Sequence, residues 1–151
     1  MAEPTVFYKR STFVTHLPKD ALFSPGHYWL LAEEAGVWRI GFTKFATRML
    51  GDLVDHQFEK SPGDPLASGD IVGSVEGFKA ISDLYSPLTG EFTAGNPALQ
   101  KDPEIISNDP YGEGWLFRAR GTPDVRCGSV DAYRALLDAT IDRMLEKEAS
   151  E

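Results

Sequence analysis

The chain has 151 residues, 42% of them hydrophobic, and its 15 Lys and Arg against 23 Asp and Glu leave a formal net charge of -8 at pH 7. This is the size and composition of one globular domain, and a sequence pI of about 4.9 argues against nucleic-acid binding and against anchoring on anionic lipid, both of which need clustered Lys and Arg. A lone Cys127 excludes an internal disulfide, Met1-Ala2-Glu3-Pro4 does not open a leader, and no run approaches the roughly 18 apolar residues of a membrane helix, so a cytoplasmic protein is expected.

Val6 to Val14 reads as one extended segment with poor alternation. His27-Tyr28-Trp29-Leu30-Leu31, the turn residues Glu33-Glu34-Ala35-Gly36 and then Val37-Trp38-Arg39-Ile40-Gly41-Phe42 predict a hairpin. Thr43 is placed to cap a short helix over Lys44 to Leu50, ended by Gly51. Leu53 to Phe58 follows as a strand, and Ser61-Pro62-Gly63-Asp64-Pro65 is a loop by its density of breakers. Ile71 to Val75 has the pattern of a buried strand, and Leu84 to Pro87 with Gly90-Glu91-Phe92 resumes the β pattern. Pro97 to Leu99 and Pro103 to Ile106 fit short helical turns, and Trp115 to Ala119 fits a last strand. From a Ser129 cap, Val130, Tyr133, Leu136, Leu137, Ile141, Met144 and Leu145 make an apolar stripe at helical spacing through about Lys147.

Lys79 lies in the short connection between two of these strand patterns, where an ammonium group projects from a hairpin tip over a rigid scaffold. Most such lysines are solvated charges that discourage edge pairing. The company of this one sets it apart. Glu76-Gly77-Phe78-Lys79-Ala80, Asp83 and Ser86-Pro87-Leu88-Thr89-Gly90-Glu91 resemble the lipoyl-attachment region of the glycine cleavage H protein family. The likeness continues through Asn96, Ala98, Leu99 and Pro103 to Ser107-Asn108-Asp109-Pro110-Tyr111-Gly112-Glu113-Gly114-Trp115-Leu116, and upstream it includes His27, Trp29, Ile40-Gly41 and Leu50-Gly51-Asp52.

The resemblance implies a mainly β barrel-sandwich hybrid, lipoyl-domain-like, of two antiparallel sheets with peripheral helices and a C-terminal helix. It implies a carrier domain over residues 25–151 behind an N-terminal extension of residues 1–24. Lipoic acid would be amide-linked to Lys79, and the protein would be a non-catalytic carrier whose arm moves between active sites at a high effective concentration. A lipoate-protein ligase or lipoyl-assembly enzyme is then an implied partner. Biotin fits less well, because Lys79 stands between Phe78 and Ala80 rather than between methionines. An interaction module with Lys79 unmodified is the alternative of a different class.

In the family the loaded arm is implied to fold back into a pocket whose acidic and hydroxyl groups receive a cationic amine. Here the usual His-Glu-Trp reads His27-Tyr28-Trp29, the preceding residue is Gly26, and Asp83 alone remains of the pocket groups. The loss of that carboxylate directs the expectation to an H-like subgroup: the lipoate-binding proteins of heterodisulfide-reductase-like sulfur oxidation, with that complex as partner. Ordinary glycine cleavage, with glycine decarboxylase, aminomethyltransferase and dihydrolipoyl dehydrogenase as partners, is the runner-up. Elsewhere, His16, His27 and His56 lack metal-ligand spacing, and Cys127 has only Arg126 nearby to activate it. Glu76, three residues before Lys79, is equally a ligase contact and a solvated charge.

Overall fold

In the computed structural model the described residues, 4–150, form eleven strands and four helices. The chain opens with a hairpin of β1 (Thr5–Arg10) and β2 (Phe13–Pro18), followed by β3 (Leu22–Phe23), β4 (Tyr28–Glu34) and β5 (Val37–Phe42). Next come α1 (Lys44–Leu50), β6 (Leu53–Phe58), β7 (Pro65–Leu66), β8 (Ile71–Gly77), β9 (Ile81–Tyr85) and β10 (Leu88–Gly95). Two single turns, α2 (Ala98–Lys101) and α3 (Ile105–Asn108), lead to β11 (Phe117–Pro123) and the long α4 (Val130–Ser150). One sheet has the order β3-β4-β5-β11-β10-β7, the second β6-β8-β9, and β1 pairs with β2 alone; every pairing is antiparallel.

This is the expected barrel-sandwich with a C-terminal helix, enlarged by a third, two-stranded sheet. The single extended segment expected over Val6 to Val14 is instead a hairpin, because Ser11 takes a left-handed backbone (φ 54°) and reverses the chain between Arg10 and Phe13. The last strand begins two residues later than expected. Trp115 and Leu116 spend their main-chain carbonyls on Asn96, the first through its side chain (2.9 Å) and the second through its amide (3.0 Å).

Burial organises the strands into two cores. Leu30, Ile40, Leu53, Val72, Val75, Leu84, Leu88 and Phe117 fill the space between the two larger sheets. The second core lies outside the sandwich, where Tyr8, Phe13 and Leu17 of the first hairpin meet Trp29, Phe45 and the Val130, Tyr133, Leu137 and Ile141 face of α4. Phe23 stacks on Tyr133 at 4.7 Å between ring centroids. Met144 and Leu145, expected to extend the apolar stripe, are exposed because α4 runs on past the body at its end. No described helix is long and apolar enough to cross a membrane.

Trp29 explains Gly41. The two are register partners across β4 and β5, and a Cβ on Gly41 would stand 2.6 Å from the buried indole, whose Nε1 donates to the Pro110 carbonyl at 2.9 Å. Neither the ring nor its hydrogen bond has room to move. Gly41→Ala is therefore expected to destabilise the fold by about 1–3 kcal/mol, as overpacking does, measured as a lowered midpoint of urea unfolding with an unchanged slope.

Candidate functional site

Lys79 sits at the middle of a three-residue tip, 78–80, between β8 and β9. Phe78, Lys79 and Ala80 are all exposed, yet the tip's backbone is held. The Phe78 amide donates to the Asp52 carbonyl (3.1 Å), the Lys79 amide to the Leu50 carbonyl (2.9 Å), and the Gly77 amide closes the turn on the Ala80 carbonyl (2.9 Å). The acceptors follow from the end of α1. A helix leaves its last carbonyls without partners, and here the tip takes up two of them, because Lys79 Nζ also donates to the Arg48 carbonyl at 3.3 Å.

Local sequence makes this approach feasible. Thr43 caps α1 as expected, its hydroxyl accepting from the Ala46 amide, and Gly51 ends it with φ 77°. Glycine is needed at 51 both for that backbone and because a Cβ would meet the Lys79 Cγ at 3.0 Å. At Gly77 a Cβ would lie 2.2 Å from the Leu50 carbonyl oxygen. Gly77 stands at the point where the tip comes closest to the helix. Sequence reasoning noted Leu50-Gly51-Asp52 as a likeness but not as the seat of the lysine hairpin. The signal was the glycine pair 51 and 77, far apart in sequence and each lacking a side chain where the two segments meet.

Beside the tip, on the Ala46, Met49 and Leu50 face of α1, opens a cleft of about 460 Å³. Its walls include Tyr28, Phe42 and Tyr85, with Ser24, Ser68, Ser82 and Ser86 supplying hydroxyls. Tyr28 reaches this cleft, but its hydroxyl accepts the Tyr85 amide at 2.9 Å. Burial, reinforced by the Asp83 carboxylate, pushes the phenol up to about 12, so it stays neutral. The acidic wall residue Asp124 is already committed to Arg126 and to the Ser68 hydroxyl (2.5 Å). Asp83 itself is exposed on β9, and Glu76 is exposed on β8 beside Asp55.

His27 stands at the cleft's rim in a left-handed conformation (φ 71°). Its Nδ1 lies 2.8 Å from the Tyr133 hydroxyl, which is also 2.7 Å from Thr43 Oγ1, so one phenol ties α4 to the start of α1. Burial lowers the imidazole to about 4 and keeps it neutral. Burial pushes the Cys127 thiol up to about 11, which removes it as a nucleophile at neutral pH. Among the described residues no cluster of three or more His, Cys, Asp or Glu is placed to hold a metal ion.

The structure thus holds an exposed lysine at the tip of a hairpin of a β sandwich, the placement of a swinging-arm carrier's lysine. A family model described as glycine cleavage H-protein matches residues 21–138. The glycine cleavage system H protein of Psychrobacter sp. (strain PRwf-1) is 41% identical over 126 residues, covering 83% of this chain and 94% of its own. That of Listeria monocytogenes serotype 4b (strain CLIP80459) is 39% identical over 127 residues, covering 81% and 98%. The crystal structure of a glycine cleavage system H protein from Mycobacterium marinum superposes with a TM-score of 0.71 at 33% identity, over 79% of this chain and 97% of that one. The chain belongs to the glycine cleavage H-protein family, whose members are non-catalytic carriers with lipoic acid attached covalently to a lysine.

These relatives overturn the expectation of sulfur oxidation with a heterodisulfide-reductase-like complex, since they are glycine cleavage H proteins at about 40% identity. The physical flaw lay in reading Tyr28 as a change of cargo. Its hydroxyl is bonded to main chain at the stem of the lysine hairpin, so the substitution alters how β9 is tied down as much as what the cleft receives.

The neutral His27 sets a pH dependence. Below about 6.5 the unfolded chain binds a proton that the folded ring refuses until about pH 4, so stability falls as pH drops through that window. His27→Asn, which tolerates a left-handed backbone, is expected to flatten this slope. Allowing for the ring's partial exposure, wild type loses on the order of 2 kcal/mol more than the variant between pH 7 and 4 by chemical denaturation.

Proposed function

We propose that this chain is the H protein of a glycine cleavage system, with lipoic acid amide-linked to Lys79 and aminomethyl groups as its cargo. The observation that carries this reading is the seating of Lys79: an exposed side chain on a tip whose main chain is bonded to Leu50 and Asp52. Such a tip offers a ligase an exposed lysine on a fixed base, and it keeps the arm's point of origin constant. When bound, the lipoyl group supplies a disulfide that is reduced to a thiol pair and reoxidised.

The protein's own residues fit such an arm. The lysine stem passes over Gly51, where only hydrogen leaves room, and the cleft across α1 is lined by aromatic and aliphatic side chains with hydroxyls at intervals. In this reading residues 25–151 are the carrier domain and residues 1–24 an addition to it. Its partners are a lipoate-protein ligase, glycine decarboxylase, aminomethyltransferase and dihydrolipoyl dehydrogenase, met in the cytoplasm. The net charge of -8, one unit more negative after modification, favours basic docking surfaces on several such enzymes.

Intact mass tests the attachment. With lipoate and a ligase, wild type gains one lipoyl mass and Lys79→Arg gains none; a gain on the variant contradicts the assignment. Glycine decarboxylase tests the cargo, since the lipoylated protein is expected to take up a methylamine group from glycine. A fully lipoylated protein that stays unloaded contradicts it.

A further inference from the structure

The lysine does not line the cleft described above. It lines a second groove, of about 360 Å³, on the other side of α1. By the 3.6-residue period of the helix, Ala46, Met49 and Leu50 occupy one face, whereas Lys44, Thr47, Arg48 and Gly51, which line the groove, occupy the opposite one. The far wall is the β1–β2 hairpin, contributed by Phe13 and Val14. That hairpin precedes the stretch matched by the family model, which begins at residue 21.

Several contacts hold the groove in shape. The Arg48 guanidinium lies 5.7 Å from the centre of the Phe13 ring and donates to Thr12 Oγ1 at 3.3 Å, joining α1 to the hairpin turn. Arg10 pairs with Asp142 at 2.5 Å and the Tyr8 hydroxyl donates to Asp138 at 2.7 Å, fixing the hairpin to α4. Val14 (45% exposed) and Phe78 (76% exposed) leave uncovered apolar surface on the two sides of the lysine.

We infer that this groove is a resting place for the lipoyl arm of Lys79, built by the N-terminal hairpin and distinct from the cleft across α1. The inference rests on the proposed attachment at Lys79. The lysine already points along the groove, with Nζ donating to the Arg48 carbonyl, and an ε-amide keeps one N–H for the same bond while losing the charge. A chain of methylenes ending in a dithiolane needs apolar cover, which the exposed Val14 and Phe78 supply. The groove volume falls within the roughly 300–1,000 Å³ typical of small-molecule sites. Such a place keeps the arm off the cleft wall and shields its sulfurs between visits to partners.

Methyl probes stand on both sides of α1. In lipoylated protein labelled at Val and Met methyls, nuclear Overhauser contacts are expected between arm protons and Val14, with or without contacts to Met49. Contacts to Met49 alone, or to neither, overturn the inference. Val14→Asp, at an exposed position opposite Lys9 in the hairpin, is expected to speed alkylation of the reduced arm about threefold by freeing it; an unchanged rate overturns it. A protein that gains no lipoyl mass on Lys79 fails at the attachment itself, whereas full lipoylation with a silent Val14 defeats the groove alone.

Discussion

Two main-chain hydrogen bonds, from the Lys79 amide to the Leu50 carbonyl and from the Phe78 amide to the Asp52 carbonyl, decide where the lysine stands. Without them the tip of the β8–β9 hairpin is three exposed residues on a turn. With them it becomes an extension of the end of α1, whose unpartnered carbonyls the tip takes up. This exchange is possible because Gly51 and Gly77 both lack a Cβ at the line of contact. The helix is placed in turn by Thr43, whose oxygen serves its cap and meets the Tyr133 phenol of α4. A chain of short contacts therefore runs from α4 through the start of α1 to the lysine.

The second core gives that chain its stiffness. Surface ion pairs such as Arg10 with Asp142, about two-fifths exposed, contribute little in water. The burial of Tyr8, Phe13 and Leu17 against α4 and Phe45 does more, since each large apolar side chain removed from water contributes about 1.5–3 kcal/mol. The N-terminal hairpin thus adds a layer to the same side of the molecule that holds α1. Its turn ends beside Lys79, so an element outside the family match shapes the surroundings of the lysine.

Much of the fold was legible in the residues. Thr43 and Gly51 marked both ends of α1, the turn residues 33–36 between two apolar runs marked the β4–β5 hairpin, and Val130 to Ile141 repeated at helical spacing. These are local signals of cap, turn and stripe. Lys79 was singled out by a family pattern rather than by its physics, since a lysine on a turn is ordinarily a solvated charge. The hairpin of residues 5–18 was not legible as such, because its reversal depends on Ser11 in a left-handed conformation that the residue type does not announce. The role of Tyr28 was misread for a related reason. Its partner is the backbone of Tyr85, and backbone partners leave no trace in composition or spacing. The seat of the tip on α1 was hidden in the same way.

Native-state hydrogen exchange at the Phe78 and Lys79 amides tests the central claim most directly. Both residues have exposed side chains, so an unsupported turn exchanges at close to the rate of a solvated loop. A tip seated on α1 protects both amides to the level of the flanking β8 amides, and the account predicts that result. Loop-like exchange at both positions, with β8 still protected, would contradict it.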